Sequence, residues 1–215
     1  AYIMSLLWTT YCEAARMGAP YDVYLLGDVL KESFPEYKTY VFMNCFSDKD
    51  GKLKKAAEKL RKNNAVQVWC YAPGYITGKG FSVGNMKGIT GINIKQNTLP
   101  AVLRPVVSGN GNPITAQCGK IAFKPFSAYP FFSVEDSGAE VLMSADGHAV
   151  MAVKKFDNYS SVYTMVPLTK ELLQGLCDYA GAHVYSRTYD VFSASKGFIM
   201  LHNSTNGKKT ISLPG

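Results

Sequence analysis

Apolar positions along the chain switch between two spacings, and the switch repeats. Continuous or alternating apolar runs at 21–26, 39–44 and 66–71 read as strands, while apolar residues three and four apart mark helices before and between them. Ile3, Leu6, Leu7, Thr10, Tyr11, Ala14 and Ala15 form the stripe of an opening helix stopped by Gly18 and Pro20. A helical turn is expected around Val29-Leu30. Ser47-Asp48 are placed to cap a lysine-rich helix whose buried stripe is Leu53, Ala56, Ala57 and Leu60, closed by Asn63-Asn64. This β-α-β-α-β rhythm, with an initial strand missing ahead of residue 1, predicts a parallel sheet covered on both faces. The third strand runs into Ala72-Pro73-Gly74, a sharp bend at the carboxyl end, where such sheets place their ligands.

From about residue 75 the pattern changes. Ser82 to Gly88 fits a short helix with a serine cap, and 98–135 holds extended runs broken by a loop at Gly109-Asn110-Gly111-Asn112-Pro113. Asp146-Gly147 suits a type I′ turn inside a hairpin spanning 139–156, and Ser161 to Val166 adds a strand. Thr169 caps a helix with the stripe Leu172, Leu173, Leu176 and Tyr179, ended by Gly181. Short strands are expected at 184–185, 191–192 and 198–202, with a second hairpin signal at Asn206-Gly207 leading into 210–213. The division expected is an α/β domain over 1–181 and a short β segment over 182–215.

Composition narrows the function classes. With 47% hydrophobic and 18% charged residues, the 215-residue chain is of globular type. No apolar stretch reaches the ~20 residues a membrane span requires. No cationic, apolar signal segment opens the sequence, which begins inside a helical pattern, as expected of a mature product or an excised fragment. The net charge of +7 invites a nucleic-acid reading until it is located. Lys49, Lys52, Lys54, Lys55, Lys59, Arg61 and Lys62, opposed by Asp50 and Glu58, put most of the surplus on the solvated face of one helix. Cys12, Cys45, Cys70, Cys118 and Cys177, with His148, His183 and His202, show no metal-ligand spacing and read as free thiols and scattered imidazoles.

Three segments carry a family resemblance: 16–26 (Arg16-Met17-Gly18-Ala19-Pro20-Tyr21-Asp22-Val23-Tyr24-Leu25-Leu26), 37–44 (Tyr37-Lys38-Thr39-Tyr40-Val41-Phe42-Met43-Asn44) and 68–76, ending Ala72-Pro73-Gly74-Tyr75-Ile76. Together with 82–92 and the closing run from Val184 to His202, the chain resembles the β-galactosidase trimerisation-type domain of family 42 glycoside hydrolases. That resemblance implies a flavodoxin-like fold of the class I glutamine amidotransferase kind. The expected architecture is a three-layer, parallel-core sheet with an antiparallel extension and a short C-terminal β segment. Amidotransferases carry a cysteine nucleophile at a strand-to-helix elbow. Here Cys70 lies before the bend, follows Trp69 instead of a glycine, and leaves the expected apex at Ala72-Pro73 without a nucleophile. The catalytic carboxylates of family 42 enzymes lie in a separate barrel, for which this chain has neither the length nor the repeats.

The resemblance therefore implies a non-catalytic accessory domain, with no catalytic, metal or cofactor residues of its own. Its partners would be a second copy or a neighbouring catalytic barrel. Tyr75, Phe81, Phe126, Tyr129, Phe131 and Phe132 are candidate contact aromatics. One alternative is a carbohydrate-binding module, in which Asp28, Asn44, Tyr75 and Asn85, at or after strand ends, would hydrogen-bond hydroxyls and stack on a sugar. The plainer reading has Asp28 and Asn85 capping local turns. The other alternative is a thiol hydrolase using Cys70 with His183, which needs an accessible thiolate beside a base.

Overall fold

The computed structural model describes residues 2–108, 111–204 and 206–214. Along the chain come α1 (Tyr2–Ala14), α2 (Leu26–Val29), β1 (Thr39–Phe42), α3 (Lys52–Lys59), β2 (Ala65–Cys70), β3 (Ile76–Thr77), β4 (Gly80–Phe81), α4 (Val83–Thr90) and β5 (Ile94–Asn97). Then follow β6 (Ala101–Leu103), β7 (Pro105–Val107), β8 (Phe126–Ala128), β9 (Phe131–Val134), β10 (Glu140–Ala145), β11 (His148–Lys155), β12 (Tyr159–Thr164), α5 (Lys170–Ala180), β13 (Val191–Ser195) and β14 (Phe198–His202). One mixed sheet of six strands, ordered β1-β2-β12-β11-β10-β7, dominates this α/β fold. β1, β2 and β12 run parallel, whereas β11, β10 and β7 extend the sheet antiparallel. A parallel part and an antiparallel extension are both present, as expected, but the third parallel strand is β12 and not the segment 21–26.

β2 is buried at all six positions, because it has a strand on either side and helices on either face. Its side chains alternate between the two faces. On one, Gln67 Nε2 donates to Ala57 O of α3 (2.8 Å) and Trp69 Nε1 donates to Ser161 Oγ (3.1 Å), whose own hydroxyl donates to Thr90 O of α4 (2.6 Å). Phe42 stacks on Trp69 with ring centroids 4.2 Å apart, a contact worth about 0.5–1.5 kcal/mol beyond its buried area. α5 lies against β1 and β2 and holds Ser160 of β12 through Tyr179 (3.3 Å); α1 packs on α5, with Thr10 Oγ1 accepting from Leu168 N. Capping follows the sequence: Ser82 Oγ accepts from Asn85 N at the start of α4, and Thr169 Oγ1 from Leu172 N at the start of α5. Asp48 caps α3 from a distance, accepting from Leu53 N (2.8 Å), while Gly51 stands at the N-cap position with φ 70°. The hairpin β10–β11 turns at Asp146-Gly147, both with positive φ, as the type I′ reading requires.

Several expectations fail for identifiable reasons. The strand expected at 21–26 is absent: 21–25 pairs with no strand and α2 starts at Leu26, which leaves β1 as the end strand of the sheet. α1 is rotated from the expected stripe. Tyr2, Leu6 and Thr10 face the protein, while Ile3 and Tyr11 are exposed. The helix is apolar nearly all round, so spacing alone does not single out its buried face. α3 stops at Lys59, and Asn63 and Asn64 form the following turn with φ near +55° (56° and 55°). Residues 184–185 form no strand; Tyr185 N donates instead to Gly18 O (2.8 Å). No strand follows Gly207, because 210–213 docks singly through Ser212 N on Tyr185 O (2.8 Å). The loop expected at 109–113 falls partly on residues 109 and 110, outside the described residues.

The segment after α5 is tied to what precedes it. Phe192 N donates to Ala15 O (2.9 Å) and Gln174 Nε2 to Met17 O (2.9 Å). Gly18, with φ 73°, lies so near Ser186 that a Cβ would stand 1.7 Å from its carbonyl oxygen. The enclosed Asp190 carboxylate pairs with Lys209 (2.8 Å) and accepts from Thr188 and Ser204. Those partners, Lys209 first, hold it well below the usual carboxylate range. Asp136 is likewise lowered: burial opposes its ionisation, and Lys154 with the N–H groups of Asn93 and Gly138 outweighs it.

Two stability measurements follow. A Cβ at Gly175 would stand 2.2 Å from Ile114 O, whereas one at Gly88 meets nothing within 4 Å. By thermal unfolding, Gly175→Ala is expected to lose about 1–3 kcal/mol, and Gly88→Ala in α4 to gain about 0.5–1 kcal/mol. Because the Asp136 and Asp190 acidities are raised by folding, their contribution is present above pH ~4 and is lost as pH falls below it. Asp190→Asn is expected to lower Tm at neutral pH and to flatten the acid limb of Tm against pH.

Candidate functional site

The carboxyl ends of β1 and β2 are zipped together by main chain. Gly74 N donates to Cys45 O, Ile76 N to Phe46 O and Asp48 N to Ile76 O, at 2.8, 2.8 and 2.9 Å. The bend needs its glycine: Gly74 has φ 64°, and a Cβ there would meet Ile89 Cδ1 at 2.1 Å. Asn85 Nδ2, carried on α4, donates to Gly74 O (2.7 Å) and fixes the bend against the helix.

The strained residue of the bend is Tyr71, with φ 66°, and not Ala72-Pro73 as the sequence suggests. A side chain other than glycine in this region costs about 1–3 kcal/mol and persists only where its surroundings over-determine it. They do so here. Tyr71 N donates to Thr164 O (2.9 Å), Tyr71 O accepts from the Tyr163 hydroxyl, and its own hydroxyl donates to Pro130 O (2.8 Å). The rings of Tyr2, Phe46 and Phe132 surround it with centroids 5.2, 5.6 and 5.5 Å away. The space above the strand ends is thus filled with aromatic side chains. Tyr2 and Tyr163 are held neutral at any ordinary pH, chiefly by burial.

Cys70 is the last residue of β2 and is 1% exposed. Burial pushes its thiol up to about 12, with Cys45 adding to the effect. His183 lies elsewhere, its Nε2 2.7 Å from Ser212 O and its ring edge-on to Tyr185. A protonated, enclosed thiol is not a nucleophile.

The four binding candidates divide. Tyr75 and Asn85 meet at the bend: Tyr75 follows Gly74, donates to Gln96 Oε1 (2.8 Å) and stacks on Phe81 (5.1 Å). Asn44 is exposed with φ 57° and directly precedes Cys45 of the same zipper. Asp28 belongs to α2, where it accepts from Leu25 N (3.2 Å) and pairs with Lys31 (2.7 Å); that lysine is the main cause of its lowered pKa. Of the contact aromatics, Phe81 and Tyr129 are exposed, whereas Tyr75, Phe131 and Phe132 are buried in the fold. Sequence reasoning missed the exposed apolar set of α1, Met4, Trp8 and Tyr11, although its i, i+4, i+7 spacing is visible. It also missed Val23 and Leu25, exposed at 76% and 78%.

Two shallow depressions lie on the surface of the described residues. One, of about 490 Å³, lies between the end of α5 and residues 210–212, beside the Arg187–Asp178 ion pair (2.6 Å) and His183. The other, about 260 Å³, is lined by Pro100, Val102 and Tyr129. Among the described residues no three His, Cys, Asp or Glu side chains converge as metal ligands, and no helix is long and apolar enough to cross a membrane.

The fold defines a mixed α/β domain whose strand ends are closed by packing. No family profile and no curated protein matches the chain. Solved structures do. A GH42 β-galactosidase from G. stearothermophilus, crystallised as a catalytic mutant, is 10% identical with TM-score 0.60, over 88% of this chain and 28% of that one. The β-galactosidase of Bacillus circulans sp. alkalophilus is 19% identical with TM-score 0.51, over 77% of this chain and 26% of its own. The cold-adapted β-galactosidase of Rahnella sp. R3 is 12% identical with TM-score 0.52, over 73% and 25%. The chain therefore has the fold of one region of these β-galactosidases and spans about a quarter of their length.

Thiol labelling tests the reading of Cys70. In the native protein Cys12, which is half-buried, is expected to react first, and Cys70, Cys118 and Cys177 only on unfolding, as read by mass spectrometry after timed alkylation. Cys45, half-buried with its thiol pushed up to about 11, is expected to fall between them.

Proposed function

We propose that the chain is a flavodoxin-like accessory domain of a glycoside-hydrolase-like protein, acting through contacts instead of catalysis. The observation that carries this reading is the extent of the structural match: most of this chain aligns with about a quarter of each β-galactosidase. The closed strand ends support it, since Tyr71 and its aromatic neighbours occupy the place where an amidotransferase elbow would present a nucleophile. Exposed apolar side chains supply contact surface, above all Trp8 at 68%, Tyr129 at 67% and Phe81 at 74%. The contacts proposed are with a second copy or with a catalytic barrel of the same protein.

The test pairs an assay with a mass measurement. Incubated with a chromogenic β-galactoside, the chain is expected to give no turnover above buffer, and calorimetry with galactosides no heat. Turnover abolished by Cys70→Ser would overturn the reading, and saturable heat would favour a sugar-binding module. In light scattering, self-contact predicts a mass above the 23.6 kDa of one chain. A strictly monomeric result at high concentration assigns the contacts to a barrel.

A further inference from the structure

The base of the β13–β14 hairpin is closed around one carboxylate. Asp190, whose side chain is fully enclosed, stands just ahead of β13. Its Oδ1 accepts from Ser204 N (2.7 Å) and from Lys209 Nζ (3.0 Å), and its Oδ2 from Thr188 Oγ1 (2.6 Å). The chain from Ser204 to Lys209 is therefore tied at both ends to one group. Beyond Lys209 the segment docks through Ser212, whose N–H donates to Tyr185 O (2.8 Å) and whose carbonyl accepts from His183 Nε2 (2.7 Å).

Between those ties sit Asn206 and Gly207, both exposed. Neither has a hydrogen-bond partner among the described residues, so the Gly207 N–H and the Asn206 carboxamide are both unheld. Gly207 has φ 124°, and a Cβ on it would meet nothing within 4 Å. A residue without a side chain lets its nitrogen swing unhindered to the carboxamide carbon of the residue before it.

Other asparagines are guarded in ways this one is not. Asn112 precedes Pro113, which has no N–H to attack with. Asn85 spends its carboxamide on Gly74 O, Asn97 on Ser133 Oγ and Asn63 on Glu36. Asn64 and Asn203 are followed by N–H groups already bonded, those of Ala65 and Ser204. The second Asn-Gly pair, at 110–111, falls partly outside the described residues.

We propose that Asn206 is a site of spontaneous conversion to aspartate and isoaspartate, and that the conversion loosens the turn clasped on Asp190. The Gly207 nitrogen gives its proton to solvent base and bonds to Asn206 Cγ. The carboxamide C–N bond breaks, and its nitrogen takes a proton from water and leaves as ammonia. The cyclic imide so formed is opened by water at either carbonyl. Opening at Cγ restores the ordinary main chain with an aspartate. Opening at the main-chain carbonyl leaves isoaspartate, in which the main chain runs through Cγ and is longer by a carbon. Both products place a negative charge beside Lys208 and Lys209, and isoaspartate lengthens a turn that is tied at both ends. This inference does not depend on the accessory-domain reading.

The experiment ages the 215-residue chain at mildly alkaline pH, folded and in urea, and follows residue 206 by tandem mass spectrometry of its peptides. The exchange of its carboxamide NH2 for OH is expected to run in the folded chain within about fivefold of the rate in the unfolded one, because nothing has to open first. A folded rate slower than that would overturn the site. By NMR, the Ser204 amide of the converted chain is expected to exchange about tenfold faster than that of the fresh chain, whereas Asn206→Gln aged in the same way keeps the fresh value. An unchanged Ser204 amide after full conversion, or the same acceleration in aged Asn206→Gln, would overturn the loosening.

Discussion

The structure depends on one strand being accepted on four sides at once. β2 takes β1 on one edge and β12 on the other, α3 and α4 on one face and α5 on the opposite face. Nothing polar on it is left to water, and its side-chain N–H donors find protein partners while Gln67 Oε1 stays buried without one. Gln67 reaches the end of α3, and the Trp69 indole reaches Ser161, which passes the connection to Thr90. These bonds add about 1 kcal/mol each, but their larger effect is registration. A slip of β12 against β2 would strand an indole N–H and a serine hydroxyl in the dry interior.

That burial explains the fate of the strand ends. A parallel sheet presents a crevice where its chains leave it, and whether the crevice stays open depends on what fills it. Here Tyr71 is forced into a left-handed conformation by bonds at its nitrogen, its carbonyl and its hydroxyl. The rings of Tyr2, Phe46 and Phe132 then close around it. The same packing that fixes the bend removes Cys70 from solvent, so the stability of this region and the inertness of its thiol have one cause.

How much was legible in the sequence follows from the same physics. The lysine-rich helix, α5 with its threonine cap, α4 with its serine cap and the Asp146-Gly147 hairpin all declare themselves through local chemistry, and the structure contains each. The parallel core with an antiparallel extension was legible too. The segment at 21–26 was not, because an extended apolar run becomes a strand only when a neighbour is present, and the residues themselves do not say whether one is. The buried face of α1 was misread because the helix is apolar nearly all round. At the candidate site, Tyr75 and Asn85 meet at the bend. Asp28 caps a turn, as the plainer of its two readings had it, since a carboxylate after a predicted strand looks alike whether it awaits a ligand or caps a turn. The strain at Tyr71 left only the faint signal of its place ahead of Ala72-Pro73.

The junction at Gly18 couples distant parts of the chain mechanically. Residues 15–18 give carbonyl groups to Phe192, Gln174 and Tyr185, while Gly18 presses against Ser186 too closely for any larger residue. Hydrogen bonds therefore join the β13–β14 hairpin and the segment ahead of it to the foot of the first helix and to the middle of the last. The root of the hairpin is thus fastened to the end of α1 through Phe192 and to α5 through Ser186, and it cannot swing without breaking those bonds.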